Sequence, residues 1–302
     1  MRVFMTGGTG FVGRKIVGTL KKKGHEITVL TRRISPTPSL DDGVSFLEGN
    51  PVEAGDWQRE VAGHDVVINL AGASIFTRWT KSSKKKIVDS RVLTTRNLVS
   101  ALKQKGGKGT LFLSTSAIGY YGFHGDEELG EEGPAGEDFL ASLSQEWEAA
   151  ASEAESLGAR VVLLRFGIVL GREGGALKQM MPVFKKYLGS PLGSGKQWFS
   201  WIHEQDLADL YLFLMEQEEI AGPVNCTAPY PVRNRELTKA LGEALGKPTF
   251  MPAVPGFVMK IVMGEFGSML LKGQRVMPKK LLEKGFHFRF PKIKEALNDL
   301  LN

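Results

Sequence analysis

A chain of 302 residues, 42% hydrophobic and 24% charged, has room for one large domain or two small ones and the apolar content for an ordinary core. Its single cysteine, Cys226, excludes an internal disulfide and a cysteine-cluster metal site. The five histidines (His25, His64, His124, His203, His287) lack ligand spacing, so no metal is expected. The net charge of +6 sits in short, separated clusters such as Lys21-Lys22-Lys23, Lys84-Lys85-Lys86 and Lys279-Lys280, without interleaved aromatics. They read as solvated helix faces rather than a nucleic-acid surface.

The chain enters a strand at once, at 2–6, which leaves no room for a leader. A glycine turn follows, Gly7-Gly8-Thr9-Gly10-Phe11-Val12-Gly13, and then a helix over 11–23. Strand, glycine loop and helix in this order build a dinucleotide site. Gly7 allows the tight turn, Gly10 lets backbone approach a pyrophosphate, and Gly13 lets helix pack on strand. The helix start offers free N–H groups to the phosphates.

The second strand, 26–31, decides which dinucleotide is expected. An NAD site places an acid at its end for the ribose 2′-OH. Here the end reads Thr31-Arg32-Arg33, and the next acid is Asp41. Two guanidinium forks beside a hydroxyl suit a 2′-phosphate, so NADP(H) is expected over NAD(H); the competing reading is that Arg32 and Arg33 solvate a loop.

Further strands are expected at 44–48, 65–70, 110–116 and 161–166, with helices around 54–62, 80–105 and 137–157. The turn Glu48-Gly49-Asn50-Pro51 reads equally as a plain loop or as a passage near adenine. The fourth strand, Asp65 to Leu70, is almost wholly apolar, as a central parallel strand should be, and ends in Ala71-Gly72-Ala73. The small residues after Asn69 and Leu70 let backbone approach a dinucleotide. Arg91, on the 80–105 helix, is placed to hold a phosphate or carboxylate, or equally a surface salt bridge.

Strands alternating with helices imply an α/β doubly wound parallel sheet. After Gly171 the alternation is lost among glycines and prolines. The division read is 1–170 plus 204–225 for the first domain, and 171–203 plus 226–302 for a smaller C-terminal mixed α/β domain, with substrate between them. The longest apolar run, 252–264, is broken by Lys260 and too short to span a bilayer. A cytoplasmic protein with no membrane partner is expected.

These residues resemble an extended short-chain dehydrogenase/reductase. TGGTGFVG, Asn69-Leu70-Ala71-Gly72, and Ser114-Thr115-Ser116-Ala117 followed by Tyr120-Tyr121-Gly122 occur in that family's order. More narrowly the chain resembles the YfcH-like family, usually labelled sugar-nucleotide epimerases. The likeness rests on Trp147-Glu148-Ala149-Ala150, on Arg165-Phe166-Gly167-Ile168-Val169-Leu170-Gly171, and on Trp198-Phe199-Ser200-Trp201-Ile202-His203 leading to Asp206-Leu207. It continues in the tail, through Leu270 to Pro278 and Gly285 to Pro291. The resemblance implies a Rossmann-type fold and NADP(H), with Ser114, Phe166 and Gly167 also along the cofactor.

The wider family works with a Tyr as acid/base and a Lys four residues later on one helical face. Here Ser116 stands in the family's serine place, but residues 122–177 contain no Tyr and no Lys. The register puts Phe139 and Leu143 in the tyrosine and lysine places, a departure that YfcH-like proteins share. Tyr120, Tyr121, His124 and Asp126 follow Ser116 on a loop at the carboxyl edge and are the substitutes, or else pack around a nicotinamide. Trp198, Trp201 and His203 read as a stacking surface or as core, and Glu127, Glu128, Glu131 and Glu132 as a solvated lid.

Two functions are therefore expected. One is an NADP(H)-dependent epimerase/dehydratase or reductase acting on a small molecule such as a nucleotide sugar. Its catalytic candidates are Ser116, Tyr120 and Tyr121. The alternative is a non-catalytic NADP(H)-sensing protein of a regulatory or cell-division-linked kind. Helices 80–105 and 137–157 are compatible with a two-fold homodimer.

Overall fold

The structure is a computed structural model and describes residues 1–34 and 43–302; Asp41 lies outside the described residues. In chain order the elements are β1 (Arg2–Thr6), α1 (Phe11–Lys22), β2 (Glu26–Thr31), β3 (Val44–Glu48), α2 (Trp57–Val61), β4 (Val66–Asn69), α3 (Lys81–Lys105) and β5 (Leu111–Ala117). A 3-10 turn, Ile118–Tyr121, precedes β6 (Glu128–Leu129), α4 (Phe139–Ser152), β7 (Arg160–Phe166), β8 (Ile168–Leu170), α5 (Gly175–Lys185), β9 (Trp198–Phe199) and β10 (Trp201–His203). The chain ends with α6 (Glu204–Glu216), β11 (Gly222–Cys226), β12 (Val232–Arg233), α7 (Asn234–Leu245), α8 (Gly256–Met263), α9 (Glu265–Met269), β13 (Arg275–Val276), α10 (Lys279–Glu283) and α11 (Ile293–Leu301).

Seven strands form one parallel sheet in the order β11-β7-β5-β4-β1-β2-β3. This is the Rossmann-type doubly wound sheet. Strand order reverses between β1 and β4, and the crevice at their carboxyl ends is where such sheets bind ligands. Alternate side chains of each strand go to opposite faces. Val3, Met5 and Ile68 join α1 and α6 in one core cluster, which includes Ile16, Leu207 and Tyr211. Phe4 and Val67 join Trp57, Leu98 and Leu102 on the other face.

The six strands expected from sequence are present with edges shifted by a residue at most; the fourth stops at Asn69, one short of Leu70. The 137–157 helix stops as an α-helix at Ser152 and continues as a 3-10 turn, Glu153–Leu157. The seventh strand, Gly222–Cys226, carried no strand signal because it opens Gly-Pro. Pro223 is tolerated because β11 lies at the sheet edge, where a missing N–H breaks no ladder.

A further cluster gathers Leu170, Leu177, Phe184, Trp201, Leu237, Leu241 and Leu297 into a second lobe. The tail is not confined to it. Leu281, Phe286 and Phe288 pack into the cluster beneath α6. The smaller lobe combines short strands with α5, α7 and α11, which makes it a mixed α/β region.

Candidate functional site

The glycine loop closes between β1 and β4. Gly7 has φ +72°, and a Cβ there would lie 2.7 Å from the carbonyl carbon of Leu70. A Cβ on Gly13 would lie 2.2 Å from the Gly7 oxygen, so α1 can begin only against a glycine. Gly10 differs: its φ of −74° suits any residue, and its nearest obstacle is 3.2 Å away. What an alanine at 10 would obstruct is the exposed space above the loop. Thr9 and Gly10 are exposed there, with Phe11 and Val12 half-buried.

Asn69 holds the base of this site. Its Oδ1 accepts from Thr6 Oγ1 at 2.8 Å, and its Nδ2 donates to Thr95 Oγ1 at 2.8 Å. The side chain is fully buried, so it fixes β1 to β4 beneath the loop and does not reach the open edge. Thr6 Oγ1 also accepts from the Ala71 N–H at 3.3 Å, which sets the turn Leu70-Ala71-Gly72. Ser114, one strand over, is buried with an unpartnered hydroxyl among the described residues.

Arg32 and Arg33 are exposed at the end of β2 and pair with no carboxylate among the described residues. Thr31 Oγ1 donates to the Arg33 carbonyl at 3.1 Å and shapes the turn that presents them. Arg91 is the opposite kind of cation. It donates to the Ala73 and Ile87 carbonyls at 3.0 and 3.1 Å, stands 5.3 Å from the Trp147 ring centre, and has no acid partner among the described residues. Burial lowers its pKa to about 10. A Cβ on Gly72 would come within 3.0 Å of its guanidinium carbon. A desolvated cation beside a small-residue turn is an anion-accepting feature.

The expected catalytic residues lie at the carboxyl end of β5, and the structure gives them unequal freedom. Ser116 is 1% exposed and donates to Glu148 Oε1 at 2.6 Å. Glu148, from α4, also accepts from Arg165 Nε and Nη2, both at 2.8 Å. Arg165 Nη1 reaches the Tyr121 oxygen and the Glu131 carbonyl, each at 3.0 Å. Tyr121 in turn donates to Asn225 Oδ1 at 2.7 Å. Burial works against the charge on Arg165, and Glu148 more than reverses this, so its pKa rises above the ordinary guanidinium value. Burial pushes the Tyr121 hydroxyl up to about 12 despite Arg165, so it stays protonated at neutral pH. Ser116 and Tyr121 therefore sit inside a satisfied ionic network.

Tyr120 is different. It is half-buried, its ring lies 3.5 Å from the Arg165 guanidinium carbon, and its hydroxyl has no hydrogen-bond partner among the described residues. Phe139 and Leu143, in the tyrosine and lysine places, are apolar and packed. With Leu140 they join Trp79, Phe266, Met263 and Met269 in one cluster. The second lobe's α9 thus seals that face of α4.

The remaining candidates are structural contacts. His124 Nε2 lies 2.9 Å from the Tyr121 carbonyl. Asp126 accepts from Trp198 Nε1 at 2.9 Å and from Arg233, whose guanidinium, 3.8 Å from the Trp198 ring centre, covers one face of the indole. Trp201 is fully buried. His203 packs on Phe290 at 4.0 Å and accepts the Gln205 N–H, capping α6. Glu131 is no part of a solvated lid: it is 6% exposed and accepts from the Asn225 and Lys280 N–H groups. Phe166 packs edge-on to Tyr211, and Gly167 leaves room for the Ser200 carbonyl, which a Cβ would approach to 2.9 Å. Sequence reasoning quoted Glu148 and Arg165 as family markers but gave them no role; nothing in their spacing shows that they pair.

Comparison with known proteins fits this geometry. The profile of the NAD dependent epimerase/dehydratase family matches residues 3–226, which span the glycine loop and all seven sheet strands but the first residue of β1. The chain belongs to this family. A second profile, a domain of unknown function named DUF1731, matches residues 254–300 of the epimerase-family chain. The chain is 40% identical over 303 residues to the chloroplastic epimerase family protein SDR39U1 homolog of Arabidopsis thaliana, covering all of this chain and 87% of that protein. It is 39% identical over 301 residues to the epimerase family protein SA0724 of Staphylococcus aureus, covering 98% of each. Among solved structures it resembles human epimerase family protein SDR39U1 with NADPH, at TM-score 0.86 and 33% identity, over 100% of this chain and 99% of that one.

Proposed function

We propose that this epimerase-family chain binds NADP(H) and uses it on a small-molecule substrate, of which nucleotide sugars are the first class to try. The observation that carries the cofactor choice is the pair of guanidinium groups, Arg32 and Arg33, without a carboxylate partner among the described residues, at the end of β2 beside the glycine loop. The human relative's complex with NADPH supports the same choice. The residues fit the group: Gly7 and Gly13 leave no room for side chains, and Gly10 keeps the loop's outer face clear.

In this reading the N–H groups of Phe11, Val12 and Gly13 at the start of α1 hold the pyrophosphate, the Gly10 N–H being held by the Gly7 carbonyl at 3.0 Å. Arg32 and Arg33, with Thr31, hold the 2′-phosphate. Ala71 and Gly72 pass beside the dinucleotide, and Arg91 meets an anionic group of cofactor or substrate. When bound, the nicotinamide supplies two-electron oxidation or reduction at a carbon–oxygen bond. Tyr120 is the hydroxyl free to donate or accept a proton at the substrate oxygen. Ser116 and Tyr121 position the strand end through Glu148 and Arg165 and do not exchange protons. A cytoplasmic location and a homodimer through α3 and α4 belong to the same proposal.

A second reading is favoured by one observation, the apolar sealing of α4 around Phe139 and Leu143. In it the chain binds NADP(H) without turnover and reports occupancy to a partner. Calorimetric titration with NADPH and NADH tests the common part. NADPH should bind at least about tenfold tighter, and Arg32→Ala/Arg33→Ala should erase the difference. Equal affinities in the unaltered protein would refute the 2′-phosphate site. Product formation from nucleotide sugars, in which an epimerisation leaves NADP(H) unchanged overall, and NADPH consumption against carbonyl compounds separate the readings: turnover lost in Tyr120→Phe supports the first, and binding without any turnover supports the second.

A further inference from the structure

Away from the cofactor edge, the second lobe carries an apolar face without a partner. None of the eight residues of α8 is buried, although six are apolar. One side of the helix rests on α9, where a Cβ on Gly267 would lie 2.1 Å from the Met259 carbonyl. The other side carries Phe257, Lys260 and Ile261, spaced i, i+3 and i+4 on one stripe. Phe257 is 66% exposed, Ile261 71%, and Phe250, just before the helix, 80%.

The residues just before this helix lie beside the chain after α5. Gly193 donates to the Val254 carbonyl at 2.8 Å and Val254 to the Pro191 carbonyl at 2.9 Å, so the two segments run side by side. Lys247 Nζ donates to the Tyr187 hydroxyl at 2.9 Å. Tyr187 and Leu188 are exposed there, as is Val183 near the end of α5.

The charge on these segments has one sign. Residues 174–203 and 244–264 contain Lys178, Lys185, Lys186, Lys196, Lys247 and Lys260, and no Asp or Glu. Acids border these ranges at Glu173, Glu204, Glu243 and Glu265; of these, Glu265 is held by Lys84 at 2.7 Å and Glu243 by Lys294 at 2.8 Å. A protein partner would have to be apolar and acidic over the same area. A bilayer with anionic headgroups offers both at once: aromatic and aliphatic side chains enter the acyl boundary while lysines meet the headgroups. No helix of the described residues is long and apolar enough to cross a membrane, so such contact is peripheral.

We propose that the face formed by α8 and the segment after α5 binds the surface of a bilayer containing anionic lipid. The test is co-sedimentation of the full chain with phosphatidylcholine vesicles, with and without phosphatidylglycerol. About tenfold more protein should pellet with the anionic vesicles. Phe257→Ser/Ile261→Ser should abolish that binding, and Lys185→Glu/Lys186→Glu should remove the preference for anionic lipid. All four side chains are exposed, so unchanged thermal melting shows that the fold is kept. Failure to pellet with phosphatidylglycerol vesicles overturns the proposal, as does pelleting that survives the serine variant. A dimer by light scattering that the serine variant makes monomeric assigns the face to a second copy and overturns it too.

Discussion

Glu148 Oε1 accepts from the Ser116 hydroxyl at 2.6 Å and from Arg165 Nε at 2.8 Å, while its Oε2 accepts from Arg165 Nη2 at 2.8 Å. Both charged side chains are under a tenth exposed. Removing one charge strands the other out of water. Glu148→Gln should therefore cost about 3–5 kcal/mol of stability, and pairing Glu148→Leu with Arg165→Met should recover much of it. Urea denaturation of both variants checks this; a loss under about 1 kcal/mol for Glu148→Gln would contradict the buried pairing.

Gly10 and Gly13 should separate stability from cofactor binding. Alanine at 13 meets the Gly7 carbonyl at 2.2 Å, so helix and loop must part, at a cost of about 1–3 kcal/mol. Alanine at 10 meets only the Gly7 oxygen, at 3.2 Å, a tight contact that a small loop shift relieves, so its effect on the free protein should stay within about 1 kcal/mol. Its NADPH affinity should nonetheless fall about tenfold, because the methyl occupies the phosphate's approach. Melting curves with and without NADPH distinguish the two.

His203 should make the fold acid-sensitive. Burial lowers its pKa from 6.5 to about 4, outweighing the raising pull of Asp299, whose Oδ2 stands 3.3 Å away without hydrogen-bond geometry. The unfolded imidazole takes its proton first as pH falls, so stability is full above 6.5 and declines towards 4. The size is about 3 kcal/mol as an upper bound. His203→Asn keeps a capping acceptor for Gln205 and cannot titrate. Its denaturation midpoint should fall less steeply between those pH values; parallel profiles would refute the assignment.

Asp206 is fully buried, and its carboxylate accepts the Arg289 N–H at 2.8 Å and the Phe290 N–H at 3.1 Å. Asp206→Ala should cost about 2–3 kcal/mol and raise hydrogen exchange across 286–291 well before the sheet strands exchange. Uniform exchange changes over the whole chain would mean that the tail is not locally tethered.

The sheet was legible because its strands are apolar runs bounded by glycine and because β4 is apolar on both faces. The glycine roles were legible because φ +72° at Gly7 and the crowding at Gly13 follow from a fixed local geometry. The ionic network was not. Glu148 and Arg165 stand 17 residues apart on different elements, and no periodicity announces a contact made between a helix and a strand. Trp201 and His203 read equally as ligand-facing or core residues in sequence, since aromatic and imidazole groups serve both purposes; only burial separates core from cleft. Likewise Glu131 sits in an acidic run whose other members are exposed, and its two N–H partners come from Asn225 and Lys280, far along the chain.

Asp206 grips the tail by its main chain and ignores the side chains at 289 and 290 in doing so. The bond therefore depends on counting, not on spelling. Many single replacements between Arg275 and Arg289 would leave those two N–H groups where they are. One inserted or deleted residue in that stretch would carry them past the carboxylate and pull Phe290 from beneath His203. Relatives of this chain should thus keep the length of this span strictly, even where the residues between Pro278 and Gly285 vary.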